Sequence, residues 1–284
     1  VLASISGGSG SEIDAFPIDG SPSYRVYATA LRAGRLAAGA GVLAMVTDTS
    51  RINLARPAAT ATAQPDLVDA ANGYSWSPSF APDGTLAFLS NRSGTNAVWI
   101  RKPGAVAVQL FDGGFAALHR VQFSPDGSRL AVLTDMVHTV EIKVMTLDGA
   151  TLQSFTMPSN GLGLPTWTQD GKALLLFDSR DKRTWRIAAD DPAKRSPFTP
   201  PHWVGVAARP EGIFATRADK PGIWRIDGTP QSMPSLLTDK YPVYYDPPLA
   251  FRGTDILVPE YAGTTPRLLA QSLAGGSDRL LGYM

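Results

Sequence analysis

Short apolar runs recur along this chain at a nearly constant interval, each shortly after a glycine. The glycines are Gly41, Gly84, Gly127, Gly171, Gly212 and Gly253, at successive intervals of 43, 43, 44, 41 and 41 residues. A period of roughly 40 to 45 residues with several short strands per unit is typical of β-propeller blades. A helical repeat would need long segments with a helical apolar period, and the 23 prolines and 27 glycines interrupt every candidate. The pattern therefore predicts an all-β propeller.

Within one repeat, residues 76–111, the apolar and polar positions predict four short strands. We place them at residues 76–80, 85–89, 97–101 and 105–111, with a tight turn at Pro82-Asp83-Gly84 and a loop at residues 91–94. Gly84 accepts a positive φ, and Asp83 can hydrogen-bond the backbone two residues further on, so both favour a hairpin turn. Four antiparallel strands of about five residues make one propeller blade.

The same register extends to both ends of the chain and predicts a single domain over residues 1–284. Approximate blades are predicted at residues 1–30, 31–65, 74–111, 118–156, 163–199, 203–238 and 243–284. The first repeat lacks only its innermost strand, which favours seven blades, and six blades with an amino-terminal extension is the alternative. We expect a closed ring, because an open fan would leave long unpaired strand edges.

A large apolar residue recurs in phase on the third predicted strand of four repeats. It lies 12 to 15 residues after the glycine, as Trp99, Ile142, Trp185 and Trp224. We predict that these side chains fill the gap between neighbouring blades, because adjacent sheets must pack closely to form a core.

Composition and charge exclude several classes of function. A net charge of +1 and 18% charged residues, without a long block of Lys or Arg, predict no direct contact with nucleic acid. The absence of cysteine excludes disulfides, thiolate catalysis and Cys-ligated zinc. No run of 18 apolar residues occurs, so we expect no membrane span within this chain. The sequence begins VLASISGG without a methionine, which predicts a processed or partial chain.

Two stretches, SFAPDGTLAFLSNRSGTNAVWI from Ser79 and QFSPDGSRLAVLT from Gln122, resemble the TolB-type propeller repeat. Related repeats occur in the TolB translocation protein, in the propeller caps of prolyl-oligopeptidase-type peptidases and in CadC-like, membrane-bound winged-helix transcription regulators. The later stretches LPTWTQDGKALLLF and GIWRID are most similar to the periplasmic region of those regulators. The resemblance implies a sensor or interaction domain in the periplasm, tethered to the inner membrane in the full-length protein.

The sequence offers little catalytic chemistry. The stretch GGSGS, residues 7–11, lacks the last glycine of a G-x-S-x-G nucleophile elbow and precedes no predicted helix. The recurring Asp83, Asp126 and Asp170 fall in equivalent turns of separate blades. General acid–base catalysis needs two carboxyl groups that converge on one bond, so we interpret these aspartates as turn residues. We predict no catalytic residues, no metal and no cofactor.

An arginine recurs after the second strand of two repeats, in Asn91-Arg92 and in Asp178-Ser179-Arg180. One interpretation places Arg92 and Arg180 around an anionic ligand. The favoured interpretation is that they bridge neighbouring blades through backbone carbonyls and carboxylates, because the pattern repeats around the ring.

All three histidines, His119, His138 and His202, map to one predicted face of the propeller. This face carries the loops that join the fourth strand of one blade to the next blade, and the loops that join the second strand to the third. Three imidazoles could hold a divalent ion, but they lack the spacing of a compact metal motif, so we favour solvated loop residues. Aromatic residues collect on the same face: Tyr74, Trp203, Tyr241, Tyr244 and Tyr245. Core packing is the alternative for Trp203 and Tyr245, whereas aromatic and arginine side chains at a rim are typical of interfaces.

The candidate binding residues are therefore Tyr74, His119, Arg120, His138, His202, Trp203, Tyr241 and Tyr244. We predict a non-catalytic binding or sensor module of the bacterial cell envelope, monomeric, that recognises a protein partner or a small-molecule ligand. The alternatives are a TolB-like assembly scaffold, a propeller hydrolase or lyase, and a peptidase cap. The segments TPPHW, residues 199–203, and residues 241–248 depart most from the repeat, and such loops often carry function.

Overall fold

The computed structural model contains only β strands as regular elements among the residues that it describes. These are residues 73–284 apart from 115, 137, 138, 159–164, 179, 181, 201, 210, 211, 218, 227–233, 240–249, 253, 261–266, 275, 276 and 284. Before residue 73 the backbone of seven strands is described. No helix in the described part of the chain is long and apolar enough to cross a membrane.

The amino-terminal strands form three small antiparallel sheets. The first has three strands, β1 (Leu2–Gly7), β2 (Gly10–Ala15) and β3 (Tyr24–Thr29). Two pairs follow, β4 (Ala33–Gly39) with β5 (Val42–Thr47), and β6 (Leu54–Arg56) with β7 (Asp66–Asp69).

Five four-stranded antiparallel sheets follow, which we name blades I to V. Blade I contains β8 (Ser75–Phe80), β9 (Leu86–Ser90), β10 (Ala97–Arg101) and β11 (Val108–Asp112). Blade II contains β12 (Ala117–Phe123), β13 (Arg129–Asp135), β14 (Thr139–Thr146) and β15 (Thr151–Pro158). Blade III contains β16 (Thr166–Trp167), β17 (Ala173–Asp178), β18 (Arg183–Ala188) and β19 (Arg195–Pro197).

Blade IV contains β20 (Trp203–Arg209), β21 (Gly212–Arg217), β22 (Ile223–Ile226) and β23 (Ser235–Thr238). Blade V contains β24 (Ala250–Arg252), β25 (Asp255–Glu260), β26 (Arg267–Ser272) and β27 (Arg279–Tyr283). The prediction of an all-β propeller with four-stranded antiparallel blades is confirmed. Five complete blades are formed by the described strands, so the predicted count of seven, or of six, stays a prediction.

The recurring Asp-Gly turns have the predicted role. The backbone N–H groups of Thr85, Ser128 and Lys172 each donate to the carboxylate two residues earlier, at 2.8, 3.1 and 3.0 Å. The glycine between them has φ of 84°, 73° and 65° in the three turns, a region that favours glycine. These hydrogen bonds lock the hairpin between the first and second strands of blades I, II and III.

Apolar clusters between adjacent blades form the core. The cluster between blades I and II includes Leu89, Val98, Val121 and Leu130, and the cluster between blades II and III includes Ile142, Trp167, Leu174 and Ile187. Strands of the second position, such as β9 and β17, are buried along their whole length, because they have a neighbouring strand on each side and a neighbouring blade on each face.

The residues predicted to fill the gap between blades divide into two groups. Ile142 is fully buried between blades II and III, and Trp185 packs against the same cluster. Trp224 packs against the cluster that joins blades III and IV. Trp99 alternates with Val98 and Ile100, which face blade II, so its ring lies on the opposite side of the sheet, under the guanidinium of Arg92 at 4.9 Å.

In blades I to IV the first strand is the innermost, because β8, β12, β16 and β20 contact one another in succession. Such a strand has one free edge, and side chains from both neighbouring blades hydrogen-bond to the backbone of β12. Ser77 and Ser79 accept hydrogen bonds from the N–H groups of Val121 and Phe123 at 3.0 and 2.9 Å. The indoles of Trp76 and Trp167 donate to the carbonyls of Leu118 and Gln122 at 3.1 and 3.2 Å. Ser77 and Ser79 thereby satisfy two N–H groups of the inner edge without another strand.

Candidate binding face

The first strand of each blade begins at the end of the propeller where the second strand finishes, and we call this end the upper face. Ser75 pairs with Ser90 in blade I, and Trp203 pairs with Arg217 in blade IV. Tyr74 and His202, which directly precede Ser75 and Trp203, therefore occupy equivalent positions at the start of two innermost strands. The sequence-predicted candidates Tyr74 and His202 share this face, as expected from the repeat.

Tyr74 is half-buried and tied down through its backbone. Its N–H donates to Asn91 Oδ1 at 2.8 Å, and its carbonyl accepts from Ser90 Oγ at 2.8 Å. Arg92 lies beside this turn and donates to the hydroxyls of Ser75 and Ser90 at 2.9 and 3.1 Å. These two contacts of Arg92 lie within blade I and stabilise the turn after β9, and the predicted bridge to a neighbouring blade stays a prediction.

Arg180, the second of the recurring arginines, also pairs within its own hairpin. Its Nη2 lies 3.0 Å from Oδ2 of Asp178, a buried carboxylate at the end of β17. Burial alone would raise the pKa of Asp178, but the hydrogen bonds and charge of Arg180 outweigh burial, so that the pKa is lowered. The pair therefore closes the upper end of blade III.

His119 lies inside β12, not in the loop between blades where the sequence placed it. Leu118 pairs with Thr134 and Arg120 pairs with Leu133, so His119 is an extra residue in a β-bulge. A bulge turns one side chain away from the regular alternation. The imidazole is consequently half-exposed, and its Nε2 lies 3.4 Å from Oδ2 of Asp135 at the end of β13. Arg120, the next residue, is half-buried.

Two non-glycine residues with left-handed backbone meet on the upper face between blades III and IV. Lys182 has φ of 55° and His202 has φ of 78°, and the N–H of His202 donates to the carbonyl of Lys182. The Thr184 hydroxyl donates to the carbonyl of Trp203 at 3.1 Å, and its N–H donates to Thr199 Oγ1 at 3.1 Å. These bonds hold the strained turns together, and both the lysine and the histidine remain exposed.

Trp203 is 4% exposed and packs within the cluster between blades III and IV. Its ring meets Trp224 edge to face, with centroids 6.1 Å apart and planes at 77°. The Arg217 guanidinium covers the Trp203 ring at 4.9 Å. A partner on this face would therefore meet Arg217 and His202 before the indole, and Trp203 supports the surface from below.

Arg217 binds Asp219 through two hydrogen bonds. Nε and Nη2 of Arg217 lie 2.7 Å from Oδ1 and Oδ2 of Asp219. The hydrogen bonds from Arg217 lower the pKa of Asp219 to about 2, with a small contribution from the charge of His202, and the same pairing raises the pKa of Arg217. The carboxylate is therefore ionised at neutral pH and engaged by the guanidinium.

We name the surface formed by these side chains, together with the exposed Lys220 that follows Asp219 in the chain, the rim cluster, defined as Lys182, His202, Arg217, Asp219 and Lys220. It carries three permanent cations against one anion, plus a histidine that adds charge when protonated. Its many N–H donors can hold a carboxylate or another anion. Among the described residues no group of three or more His, Cys, Asp or Glu side chains could hold a metal ion.

Several parts of this site were not predicted from the sequence. Lys182, Arg217 and Asp219 were missed: the left-handed backbone of Lys182 has no sequence signal, since glycine is the usual residue there. The Arg-x-Asp spacing of residues 217–219, at the end of a second strand, could have been compared with Asp178-Ser179-Arg180. Of the predicted candidates, His138, Tyr241 and Tyr244, together with Tyr245, lie outside the described residues.

Comparison with known proteins shows the fold class. No family model and no curated protein matches the sequence. TolB from Acinetobacter baumannii is 17% identical with a TM-score of 0.58, over 76% of this chain and 58% of that one. A putative TolB from Agrobacterium tumefaciens is 19% identical with a TM-score of 0.57, over 78% and 85%. The chain thus spans less than two thirds of the length of the first of these proteins.

A peptidase shares the same architecture. The acylaminoacyl peptidase of Pyrococcus horikoshii is 12% identical with a TM-score of 0.52, and the match covers 99% of this chain and 45% of that one. At these identities the likeness is one of fold. The chain has the TolB-like β-propeller fold, and this fold occurs both in proteins with the TolB name and in an enzyme.

Proposed function

We propose that this chain is a non-catalytic binding or sensor module of the bacterial cell envelope that recognises a protein partner or ligand through its upper face. The observation that supports this proposal best is the hydrogen-bonded pair of left-handed residues, Lys182 and His202. Residues held in strained backbone conformations cluster at ligand clamps and active sites, and this pair has left-handed φ of 55° and 78°. The rim cluster around this pair supplies the charge for recognition.

The chemistry of the rim cluster favours binding over catalysis. A general base near neutral pH needs a pKa close to the working pH, whereas the pKa of Asp219 is about 2. Both carboxylate oxygens of Asp219 are already engaged by Arg217. A buried indole beneath a guanidinium is an arrangement that also serves protein interfaces, where Trp and Arg dominate the binding energy.

The location and context of the module are part of the proposal. A periplasmic location agrees with the TolB-like fold. The sequences of the later repeats support the periplasmic region of a CadC-like regulator. In this proposal a segment outside the given sequence tethers the module to the inner membrane. The runner-up is a propeller cap of a peptidase, favoured by the match of nearly the whole chain to part of an archaeal peptidase. An α/β-hydrolase domain encoded downstream in the same reading frame would favour the cap over the sensor.

The proposal is tested by removing charge from one face at a time. Lys182→Ala and His202→Ala change the upper face, and Lys102→Ala and Lys172→Ala are matched controls in exposed turns of the opposite face. Each immobilised variant is incubated with a membrane extract, and bound proteins and soluble metabolites are identified by mass spectrometry. We expect upper-face variants to bind the recovered ligand about tenfold more weakly, the effect of one lost contact of about 1.4 kcal/mol.

Equal loss in both pairs of variants, or in neither pair, would argue against the upper face as the binding surface. A retained protein partner favours the scaffold or interaction role, and a retained metabolite without a protein partner favours a small-molecule sensor. Turnover of the metabolite would remove the non-catalytic part of the proposal.

A further inference from the structure

The fourth strand of each blade is the outer edge of its sheet, and these edges share a protective device. In four of the five blades, and in the last strands β3 and β7 of two amino-terminal sheets, one extra residue interrupts the pairing with the preceding strand: Val26, Val68, Leu110, Leu152, Leu237 and Leu281. A bulge bends the strand and shortens the regular stretch that another strand could join. Natural sheets use such bulges, together with charges and prolines, to prevent pairing between edges.

The outer strand of blade II differs from the others. Its bulge at Leu152 lies next to the start of the strand, so that Gln153–Pro158 forms six consecutive pairs with β14. The regular run is at most three residues in the other outer strands that the structure describes. At eight residues, β15 is also the longest of these strands. Blade II therefore offers an uninterrupted edge of backbone N–H and carbonyl groups.

The composition of β15 lacks the charged residues that discourage pairing between strand edges. Its sequence, TLQSFTMP, contains no charged residue, and its one proline, Pro158, stands at the last position, so that it does not interrupt the run before it. Charges or proline occur in β3, β7, β11, β19 and β27, and the uncharged β23 has four residues. Ser154 and Thr156 are exposed, whereas Met157 is buried against blade III. The strand is thus anchored on one side, and its edge and its small polar side chains face solvent.

We propose that β15 pairs with β15 of a second copy of this chain, antiparallel about a twofold axis. A free sheet edge binds an extended strand, because the strand supplies backbone donors and acceptors in register. An identical strand brings no charge of its own to the pairing, and the nearest charges on β14, Glu141 and Lys143, have opposite signs and pair with each other. Pairing of two such strands covers both exposed edges at once, which closes the assembly at two copies. The proposal replaces the monomer that the sequence led us to expect.

Pairing of single strands buries less surface than a standard interface, so the dimer is a weak one. The test is sedimentation equilibrium of the full chain from roughly 1 μM to 1 mM, which brackets such affinities. We expect the mass to rise from one to two chains over this range. Thr156→Lys and Thr156→Glu each place two like charges near the centre of the paired strands, and each variant alone should remain a monomer.

Mixing the Thr156→Lys and Thr156→Glu variants should restore the dimer, because opposite charges then meet. This rescue also shows that both variants are folded. Gln109→Lys on the outer strand of blade I is the matched control and should dimerise like the unmodified chain. A monomer at all concentrations, a dimer that survives both single variants, or a mixture that stays monomeric would each overturn the proposal.

Discussion

At the scale of the single residue, glycines with positive φ set how closely one blade can approach the next. Gly149, in the turn between the third and fourth strands of blade II, has φ of 90° and lies against the carbonyl of Leu110 in blade I. Gly94, in a loop of blade I, has φ of 93° and open space around it. Alanine substitutions at the two positions therefore distinguish the cost of backbone strain, which both share, from the cost of a steric contact between blades, which only residue 149 has.

We expect Gly149→Ala to destabilise the protein by about 2–3 kcal/mol and Gly94→Ala by about 1 kcal/mol. Both variants incur the strain of a left-handed alanine, but a Cβ at residue 149 would also lie 2.8 Å from the Leu110 oxygen. Urea denaturation monitored by tryptophan fluorescence measures both changes. Equal destabilisation would mean that the turn of blade II moves away from blade I at no cost.

Asp126 links the hairpin turns to pH. Hydrogen bonds from Ser124, and then from Ser128, lower the pKa of Asp126 from 3.8 to about 2. Because the folded pKa is below the unfolded value, the ionised turn stabilises the fold above pH 3.8, and this contribution is lost as the pH falls toward 2. Asp126→Asn should therefore flatten the loss of stability across this window.

The measurement is the urea midpoint of both proteins at several pH values between 2 and 7. At neutral pH the variant should be the less stable of the two, and the difference should shrink as the pH falls. A difference that stays constant with pH would show that Asp126 does not contribute through its charge.

At the scale of the element, the inner strands depend on their neighbours for hydrogen bonds. Ser79 in β8 accepts from the N–H of Phe123 in β12, a residue that is 4% exposed. Ser79→Ala removes the acceptor and leaves the N–H buried, which costs about 1–3 kcal/mol. Amide hydrogen exchange of Phe123 should quicken in this variant. Ser93→Ala, which removes a hydroxyl from an exposed loop, is the control and should change neither quantity.

Most strands and turns of the blades could be predicted from the sequence, because the turn residues and apolar runs repeat. The turns at Asp83 and Asp126 were predicted with their hydrogen-bonding role, since a short carboxylate side chain can reach the backbone N–H two residues on. The bulge at His119 was not predicted: it depends on pairing between β12 and β13, for which the local sequence has no signal. The contacts of Arg92 with Ser75 and Ser90 were not predicted for the same reason, because they depend on how β8 and β9 pair.

At the scale of the whole molecule, the chain is a series of sheets in which each blade packs on its neighbours. Ile142 lies in the cluster that joins blades II and III and is fully buried. Ile142→Ala should cost about 2–5 kcal/mol, whereas Leu152→Ala, at a side chain 49% exposed, should cost far less. Stability in such arrays is a sum of local and nearest-neighbour terms.

Hydrogen exchange by mass spectrometry locates the effect of Ile142→Ala. We expect faster exchange in blades II and III and little change in blade V, because none of the described residues of blade V belongs to that cluster. Faster exchange throughout the chain would instead show that the propeller unfolds as one cooperative unit.

The hydrogen-bonded turn at Lys182 and His202 has a consequence for anyone who engineers this propeller. A glycine at either position would relax the backbone, so a search for heat-resistant variants would select Lys182→Gly and His202→Gly early. The side chains lost would be those that we assign to recognition. Higher stability and retention of the proposed binding are therefore opposed at these two residues. Variants selected for heat resistance should bind the ligand more weakly than the unmodified chain.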